Sequence, residues 1–516
     1  MGRTPSDDRG TTTAPTGVAG VENRIDGGTE ANADGLEYDV VTTPVLVVGA
    51  GAAGARVAIT LAEAGVEPLV IGKRDHGDAH TTWAAGGVNA ALGTLDPEDD
   101  WTIHAADTLN EGHHLNDPEA VELTAREMPD RIRELEEWGM PFDRTDDGTI
   151  NQRYFGAQSY RRTCFVGDRT GEAMLETLID RAQDLEIPYR ENVMITRLLS
   201  DGRRVSGAVG FDMETGRGLL FRSDRVVVAA GGFSALYRRH SSRDDENNGD
   251  AQALALEAGA RLLDTEFVQF HPTGMVGERY GEEWDGRLVT EAVRGEGGRL
   301  YNAEGERFME RYSPDQMELD ARDVVARAIA REIREGRGTD NGGVYLDISH
   351  READYVRERL PSMVERFESL ADADGDVAPT TLLDDLGELL WDRAGILRDE
   401  AGLEEGLAEL EALRERTADL RVEGDRTSRS FEYAVDLSVS LTVAEALLRT
   451  ALERTESRGA HYRTDHPETV SDWRVNLVVS VDGGGFSIRR RGVGEPSESV
   501  QEALEEGYEL DYHHLE

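Results

Sequence analysis

Cysteine and lysine are nearly absent from this 516-residue chain, and each absence excludes a class of chemistry. The single cysteine, Cys164, rules out an intrachain disulfide, a cysteine zinc site and any iron–sulfur cluster held by this chain alone. It reads as a small buried hydrophobe. Lys73 is the only lysine, so all the other basic residues among the 56 are arginine. No apolar run is long enough to span a bilayer, and no apolar signal core opens the chain, so a cytoplasmic location is expected. An excess of positive charge is missing too. Against 56 Lys+Arg stand 103 Asp+Glu, a formal charge of −47. That excludes electrostatic binding to nucleic acid or to an anionic bilayer as the main activity. Acidity of this degree invites a reading as disorder, yet 38% of residues are hydrophobic and periodic segments recur. The charge then reads as a surface suited to strong brine, where carboxylates keep the chain in solution. The length predicts two or three domains.

Residues 1–40 are rich in Gly, Thr, Asp and Ala without a periodic pattern, and read as a disordered tail. Order is expected to begin at Pro44-Val45-Leu46-Val47-Val48, a short apolar run that reads as a buried strand. Gly49-Ala50-Gly51-Ala52-Ala53-Gly54 follows, then helical spacing from Ala55 to Ala64, then a second apolar run, Leu69-Val70-Ile71. Together they form a βαβ unit of roughly thirty residues. A second strand-to-glycine junction is Val226-Val227-Val228-Ala229-Ala230-Gly231-Gly232, preceded by strand-like text that predicts a β-meander. From about 256 to 365 loops and helices mix, a candidate second domain. Leu382 to Arg454 is strongly helical, with Leu403, Leu407, Leu410 and Leu413 at bundle spacing. After Asp465 one strand-like run remains, Val475 to Val481.

Gly49, Gly51 and Gly54 make G-x-G-x-x-G between a strand and a helix. The first glycine allows a tight turn, the second lets backbone approach a pyrophosphate, and the third lets helix pack on strand. The acidic residue common at the end of the second strand is replaced by Gly72 and Lys73, so a ribose contact must come from elsewhere. Lys73 reads either as a surviving surface residue or as a residue with a function, a cation near cofactor phosphates or a fixed packing role. His80-Thr81-Thr82-Trp83-Ala84-Ala85-Gly86-Gly87 has the small residues that let a loop lie flat against a planar ligand. The densest polar cluster combines His271-Pro272-Thr273-Gly274, Thr290-Glu291-Ala292-Val293-Arg294 and Ala321-Arg322-Asp323. Arg, His and Thr donors among glycines suit a dicarboxylate; a structural ion-pair network is the other reading.

Taken in order, these segments resemble the flavoprotein subunit of succinate dehydrogenase and fumarate reductase, and its relative L-aspartate oxidase, from about Val45 to Pro467. The resemblance implies an α/β Rossmann-like FAD-binding domain (41–255) with an inserted α+β capping domain (256–365). A truncated return segment (366–381), a C-terminal helical domain (382–465) and a tail (466–516) follow. It implies FAD as cofactor, held by Gly49, Gly51, Gly54, Lys73, His80, Thr81, Gly86, Gly87, Ala230, Gly231 and Asp250. His80 matches the histidine that attaches FAD covalently in many succinate dehydrogenases. His271, Thr290 and Phe155 match substrate positions. Glu291, Arg294 and Arg322 look like the proton relay, with Arg322 as acid or base beside the substrate. No metal is implied. The implied partners are a four-carbon dicarboxylate and a separate iron–sulfur subunit, through which the chain would associate with the cytoplasmic face of a membrane without inserting. Glu456-Ser457-Arg458-Gly459-Ala460-His461 is a further family signature.

Two features separate the branches. Aspartate oxidases usually lack a histidine at the position of His80 and carry glutamate where Phe155 stands, which favours succinate or fumarate. Thr82-Trp83-Ala84 and Leu346-Asp347-Ile348-Ser349-His350 look more like aspartate oxidase. One departure is large. Val377-Ala378-Pro379-Thr380 resembles the text that leads into a His-Tyr-x-x-Gly-Gly motif, but this chain runs directly into Thr381-Leu382-Leu383. A segment of several tens of residues is missing. In the family it holds a second substrate histidine, a substrate arginine and part of the flavin pocket.

Overall fold

The computed structural model describes residues 25–31, 37–156, 158–243, 245–276, 288–289, 291–295, 297–351, 381–417, 427–482 and 485–507. Thr290 and nearly all of the expected return segment 366–381 lie outside the described residues.

The apolar run at Val45–Val48 is the inner part of a longer strand, β2 (Glu37–Val48), in which Leu46 and Val47 are fully buried. It is apolar on both faces because it lies between β3 (Pro68–Ile71) and β7 (Gly218–Val228), parallel to each. Helix α1 (Ala52–Glu63) connects β2 to β3 and buries Ala55, Ala58 and Ile59. Next to β3 runs the short parallel strand β4 (Tyr189–Arg190). On the other side β7 pairs antiparallel with β6 (Val205–Asp212), and β6 with β5 (Val193–Ser200), which is the expected meander. The sheet order is therefore β4-β3-β2-β7-β6-β5. Its parallel half points its C-terminal ends at one edge, where open α/β sheets bind ligands.

Two terminal expectations are corrected. Within the supposed disordered tail, β1 (Ile25–Ala31) pairs antiparallel with the start of β2, Ala31 opposite Glu37. Main-chain pairing supplies this order, and the sequence Ile-Asp-Gly-Gly-Thr-Glu-Ala shows no alternation that would announce it. The C-terminal tail likewise holds a hairpin, Val475–Asp482 with Gly485–Gly492, and a helix, Glu498–Glu506. The second hairpin strand is an exposed edge carrying Arg489, Arg490 and Arg491, so its polar text masks it. Val500 and Ala503 of the last helix are buried with Leu109 and Val121 in one cluster.

The middle of the chain forms an α+β unit around a separate cluster of Leu300, Phe308, Met309 and Val325. It contains the pair β8 (Arg299–Tyr301) and β9 (Tyr345–Asp347) and a helix, Arg322–Arg334. The helical domain has three helices, Thr381–Ala394, Glu400–Arg416 and Arg429–Glu453, among the described residues. Asp399 and Ser428 cap the second and third by accepting from the backbone amides of Gly402 and Phe431. Leu386, Leu390, Leu403, Leu410, Leu413 and Leu447 interlock in their core. The signature Glu456–His461 is a buried ion knot. Arg454 pairs with Glu266 at 2.7 Å and with Glu456 at 3.2 Å, Arg458 pairs with Glu456 at 2.7 Å, and Arg398 meets His461 Nδ1 at 2.9 Å. These charges fasten the end of helix Arg429–Glu453 to the segment that carries Glu266. No described helix is long and apolar enough to cross a membrane.

Candidate active site

The edge of the sheet where β2, β3 and β7 end opens into a cleft of about 560 Å³. Gly49 to Ala53, Lys73, His80, Thr81, Ala230, Gly231 and Asp250 line it together. The glycines do separate jobs. A Cβ on Gly49, whose φ is +108°, would lie 2.2 Å from the Ala229 carbonyl oxygen, and one on Gly54 would lie 1.9 Å from the Gly49 oxygen. Both therefore lock strand, turn and helix together. A Cβ on Gly51 would reach only the Thr81 hydroxyl at 3.0 Å and would fill the cleft instead. Helix α1 has no side-chain cap at Gly51 and no acid in its first turn, which leaves its N-terminus suited to an anion. Thr81 supports it by accepting from the Ala52 amide at 3.1 Å.

Other groups aim into this cleft. The His80 Nδ1 is buried with no hydrogen-bond partner among the described residues. Burial, then the Arg243 and His240 charges, hold its imidazole below the ordinary histidine range, so it is neutral at pH 7. Asp250 opens the helix Asp250–Glu257 after Gly249, whose φ is +96°. Lys73 is neither a surface survivor nor an unpaired cation. Its ammonium lies 2.7 Å from Asp436 and 3.8 Å from Glu432, both on helix Arg429–Glu453. Gly86 and Gly87 are not part of the cleft wall, which stops at Ala84. A Cβ on Gly86 would touch the Phe155 ring at 3.1 Å, and one on Gly87 the Cys164 oxygen at 2.7 Å. A neutral polar atom without a partner, an open helix N-terminus and a glycine-cleared wall fit a dinucleotide such as FAD.

The second cluster lies beside the first. Arg322 Nε donates to Glu291 Oε2 at 2.7 Å, and Arg294 Nη2 lies 3.3 Å from the same oxygen. The other oxygen, Glu291 Oε1, accepts from the Gly156 amide at 2.8 Å. Burial would raise the Glu291 pKa, but the two guanidiniums and that amide outweigh it and hold the carboxylate below its usual range. Arg294 is buried and donates to the Glu318 carbonyl. Arg322 keeps 38% of its side chain exposed and also donates to Gln269 Oε1 at 3.0 Å. Of the relay, then, only Arg322 faces outward.

His271 stands near this triad. Its Nδ1 accepts from the Thr273 amide at 3.3 Å, which leaves Nε2 to carry the proton. Burial, then Arg322 and Arg294, push its pKa down to about 3. A neutral N–H donor beside an outward guanidinium is a carboxylate-binding pair. Phe155 links the triad to the loop that leaves the cleft at Ala84: its ring meets Gly86, and the Gly156 amide donates to Glu291. Arg153, unforeseen from sequence, donates to the Gly86 carbonyl at 2.6 Å and sits 5.3 Å from the Phe155 ring centre. Gln269 and Asp436 were also missed. Gln269 could have been found from its place two residues before His271. Among the described residues no group of three or more His, Cys, Asp or Glu is placed to hold a metal.

Comparison with known proteins agrees with this arrangement. Residues 44–386 match the FAD binding domain family, and residues 383–494 match the fumarate reductase flavoprotein C-terminal family. The chain is 36% identical to one of the subunits of the fumarate reductase (CoM/CoB) of Methanothermobacter marburgensis, over 86% of this chain and 98% of that one. It is 41% identical to the mitochondrial succinate dehydrogenase flavoprotein subunit of Oryza sativa subsp. japonica, over 67% of this chain and 54% of that one. Among solved structures, Sdh1 of Mycobacterium smegmatis superposes with a TM-score of 0.78 at 34% identity, covering 91% of this chain and 98% of that one. A quinol fumarate reductase of E. coli gives 0.81 at 26% identity, covering 89% and 99%. The chain belongs to the succinate dehydrogenase/fumarate reductase flavoprotein family of FAD-dependent oxidoreductases. The alignment to the archaeal relative is 543 positions long, more than the 516 residues here, so that relative has residues with no counterpart in this chain.

Proposed function

We propose that this chain interconverts succinate and fumarate as the flavoprotein subunit of a larger enzyme. The observation that carries the reading is the Arg322–Glu291–Arg294 triad with His271 beside it. FAD held in the adjacent cleft supplies hydride transfer at one carbon of a four-carbon dicarboxylate. The chain's own residues do the rest. His271 Nε2 and the Arg322 guanidinium bind a substrate carboxylate, and Arg322 moves a proton at the neighbouring carbon. Glu291, held ionised between two guanidiniums, resupplies or removes that proton, and Arg294 fixes its geometry. Phe155 beside the triad offers no carboxylate to an α-ammonium, which disfavours aspartate as substrate. Electrons leave through a separate iron–sulfur subunit, since one cysteine cannot hold a cluster. His80, neutral and unpartnered, is the attachment point for the flavin.

The test is the visible spectrum of the chain purified in molar salt, before and after acid precipitation, followed by turnover with an artificial electron carrier. Yellow colour that stays with the precipitate, with fumarate or succinate turned over and aspartate not, is expected. Colour released by acid together with aspartate oxidation makes the chain an L-aspartate oxidase. A folded, colourless protein removes the enzyme reading.

A further inference from the structure

The chain keeps one lysine while using arginine for all its other basic positions, and that lysine sits between two domains. Lys73 follows β3 on the cofactor cleft, whereas its partners Glu432 and Asp436 come from the long helix of the helical domain, Arg429–Glu453. The helix continues the contact at helical spacing. Ser440 Oγ donates to the Asn248 carbonyl at 3.1 Å, and Val443 packs where a Cβ on Gly249 would come within 2.7 Å. Residues 432, 436, 440 and 443 thus form one stripe, and it runs from Lys73 to the loop that carries Asp250. Arg74 reinforces its start, 2.6 Å from Glu432 and 2.9 Å from Asp245.

The charges explain why a cation is needed here. Glu432 is 4% exposed and Asp436 1% exposed, and Asp250 lines the same cleft as Lys73. Burial alone would lower the Lys73 pKa, but Asp250 and then Asp436 outweigh it and hold the lysine charged. An ammonium is a compact centre with three donors, able to serve acids that approach from different directions. A guanidinium is a larger planar fork whose donors lie in one plane.

We propose that Lys73 is a positioning residue for the cofactor, a latch that holds the long helix against the loop leading into Asp250 and makes cofactor retention depend on that docking. This rests on the reading of the cleft as the FAD site. Without Lys73, Asp436 loses the cation 2.7 Å from it while Glu432 keeps Arg74, so the buried Asp436 charge loosens the helix from the loop that leads into Asp250.

The test is a double-mutant cycle in a His80→Ala parent, where flavin is held without a covalent bond, read as flavin retained per chain after prolonged dialysis in molar salt, with thermal midpoints measured on the flavin-free forms. Lys73→Gln is expected to lose flavin about tenfold faster than the parent, the scale of one charged hydrogen bond. Lys73→Arg falls between the two. Lys73→Gln with Asp436→Asn, which removes the surplus charge, is expected to return to within about threefold of the parent. A merely structural ion pair predicts the reverse: lowered midpoints, unchanged retention, and a double variant no better than Lys73→Gln. That result overturns the latch. A second measurement needs no risky variant. The α-amine aside, Lys73 is the only target for an amine-acylating reagent, so its peptide reports its reactivity by mass spectrometry. Asp436→Asn is expected to speed that labelling severalfold in the flavin-free protein, and equal rates overturn the latch as well. A parent chain that holds no flavin at all overturns the site reading and the latch together. A parent that holds flavin with Lys73→Gln indistinguishable from it overturns the latch alone.

Discussion

The cofactor cleft and the dicarboxylate cluster lie side by side, yet they are built on different principles. The cleft is made by main chain. Its shape follows from where β2, β3 and β7 end, from two glycines that let strand, turn and helix close on one another and from a third that keeps a side chain out. The cluster is made by side chains that converge from distant segments, Gln269, His271, Glu291, Arg294 and Arg322, with one main-chain amide from Gly156. Backbone sites tolerate almost no added atom, whereas side-chain sites lose function by degrees. The two should therefore break differently.

The largest effect is expected at Gly54. A Cβ there would lie 1.9 Å from a backbone oxygen, so Gly54→Val must push α1 off the sheet. Overpacking of this kind costs at least about 1–3 kcal/mol. The expected outcome is a protein with a depressed thermal midpoint and no flavin. Gly51→Val sharpens the contrast: its nearest neighbour is the Thr81 hydroxyl at 3.0 Å, so the chain should keep its midpoint and lose flavin only. Equal midpoints for the two variants would contradict the division of labour among the glycines.

Arg322 comes next. Arg322→Lys keeps a positive charge but cannot donate to Glu291 and Gln269 together as the guanidinium does. Turnover should fall by about 10²–10⁴, the usual scale for a displaced acid–base group, with flavin content unchanged. A variant with full activity would remove Arg322 from the proton path. If flavin falls as well, the two regions are not separable in the way the geometry indicates.

How much of this was legible in the sequence follows the same division. The glycine motif and the apolar runs announced the cleft, because backbone geometry admits few residues at those positions. The His271, Glu291 and Arg322 segments announced a polar cluster suited to a dicarboxylate, and the resemblance supplied the roles, since nothing local says that residues 31 positions apart form an ion pair. The helical region read as a plain bundle. Glu432 and Asp436, four residues apart, look like an ordinary solvated helix face, and the lysine that buries them lies 363 positions before Asp436. The hairpin at the C-terminus was half seen, because Val475–Val481 is apolar while its partner strand is an arginine-rich edge. The direct join after Thr380 was visible as missing text. Its neighbourhood, residues 352–380, lies outside the described residues, and the helix that follows starts at Thr381.

His271 gives a smaller effect with a definite pH signature. A neutral donor at one carboxylate is worth a charge-assisted hydrogen bond, so His271→Ala should raise KM about tenfold and change kcat less. Burial and the two neighbouring guanidiniums hold its pKa near 3, well below the unfolded value. The imidazole therefore stays neutral in the folded protein from pH 8 down to 5, while an unfolded histidine gains its proton through about 6.5. The dependence of kcat/KM on pH should show no step in that range that His271→Gln removes. The linked stability runs the same way: this group costs nothing above about pH 7 and weakens the fold progressively as pH drops below about 6.5. A step near 6.5 that vanishes in His271→Gln would mean that the imidazole is charged and reads the substrate as an ion pair.

Phe155 is expected to give the smallest effect, and it probes the seam between the regions. Its ring lies against Gly86, and Arg153 stands 5.3 Å from the ring centre while donating to the Gly86 carbonyl. The next residue, Gly156, donates to Glu291. Phe155→Leu keeps an apolar side chain and removes only the aromatic face. The cation–π contact it gives up is worth about 0.5–1 kcal/mol, which corresponds to a two- to fivefold loss in kcat/KM. Flavin content should not change, because the main-chain bond from Gly156 and the hydrogen bond from Arg153 both survive. A larger loss, with flavin also reduced, would show that the ring transmits the position of the Gly86 loop to the triad. The cofactor cleft and the dicarboxylate cluster would then be one site held at a single aromatic joint rather than two neighbours that share an edge.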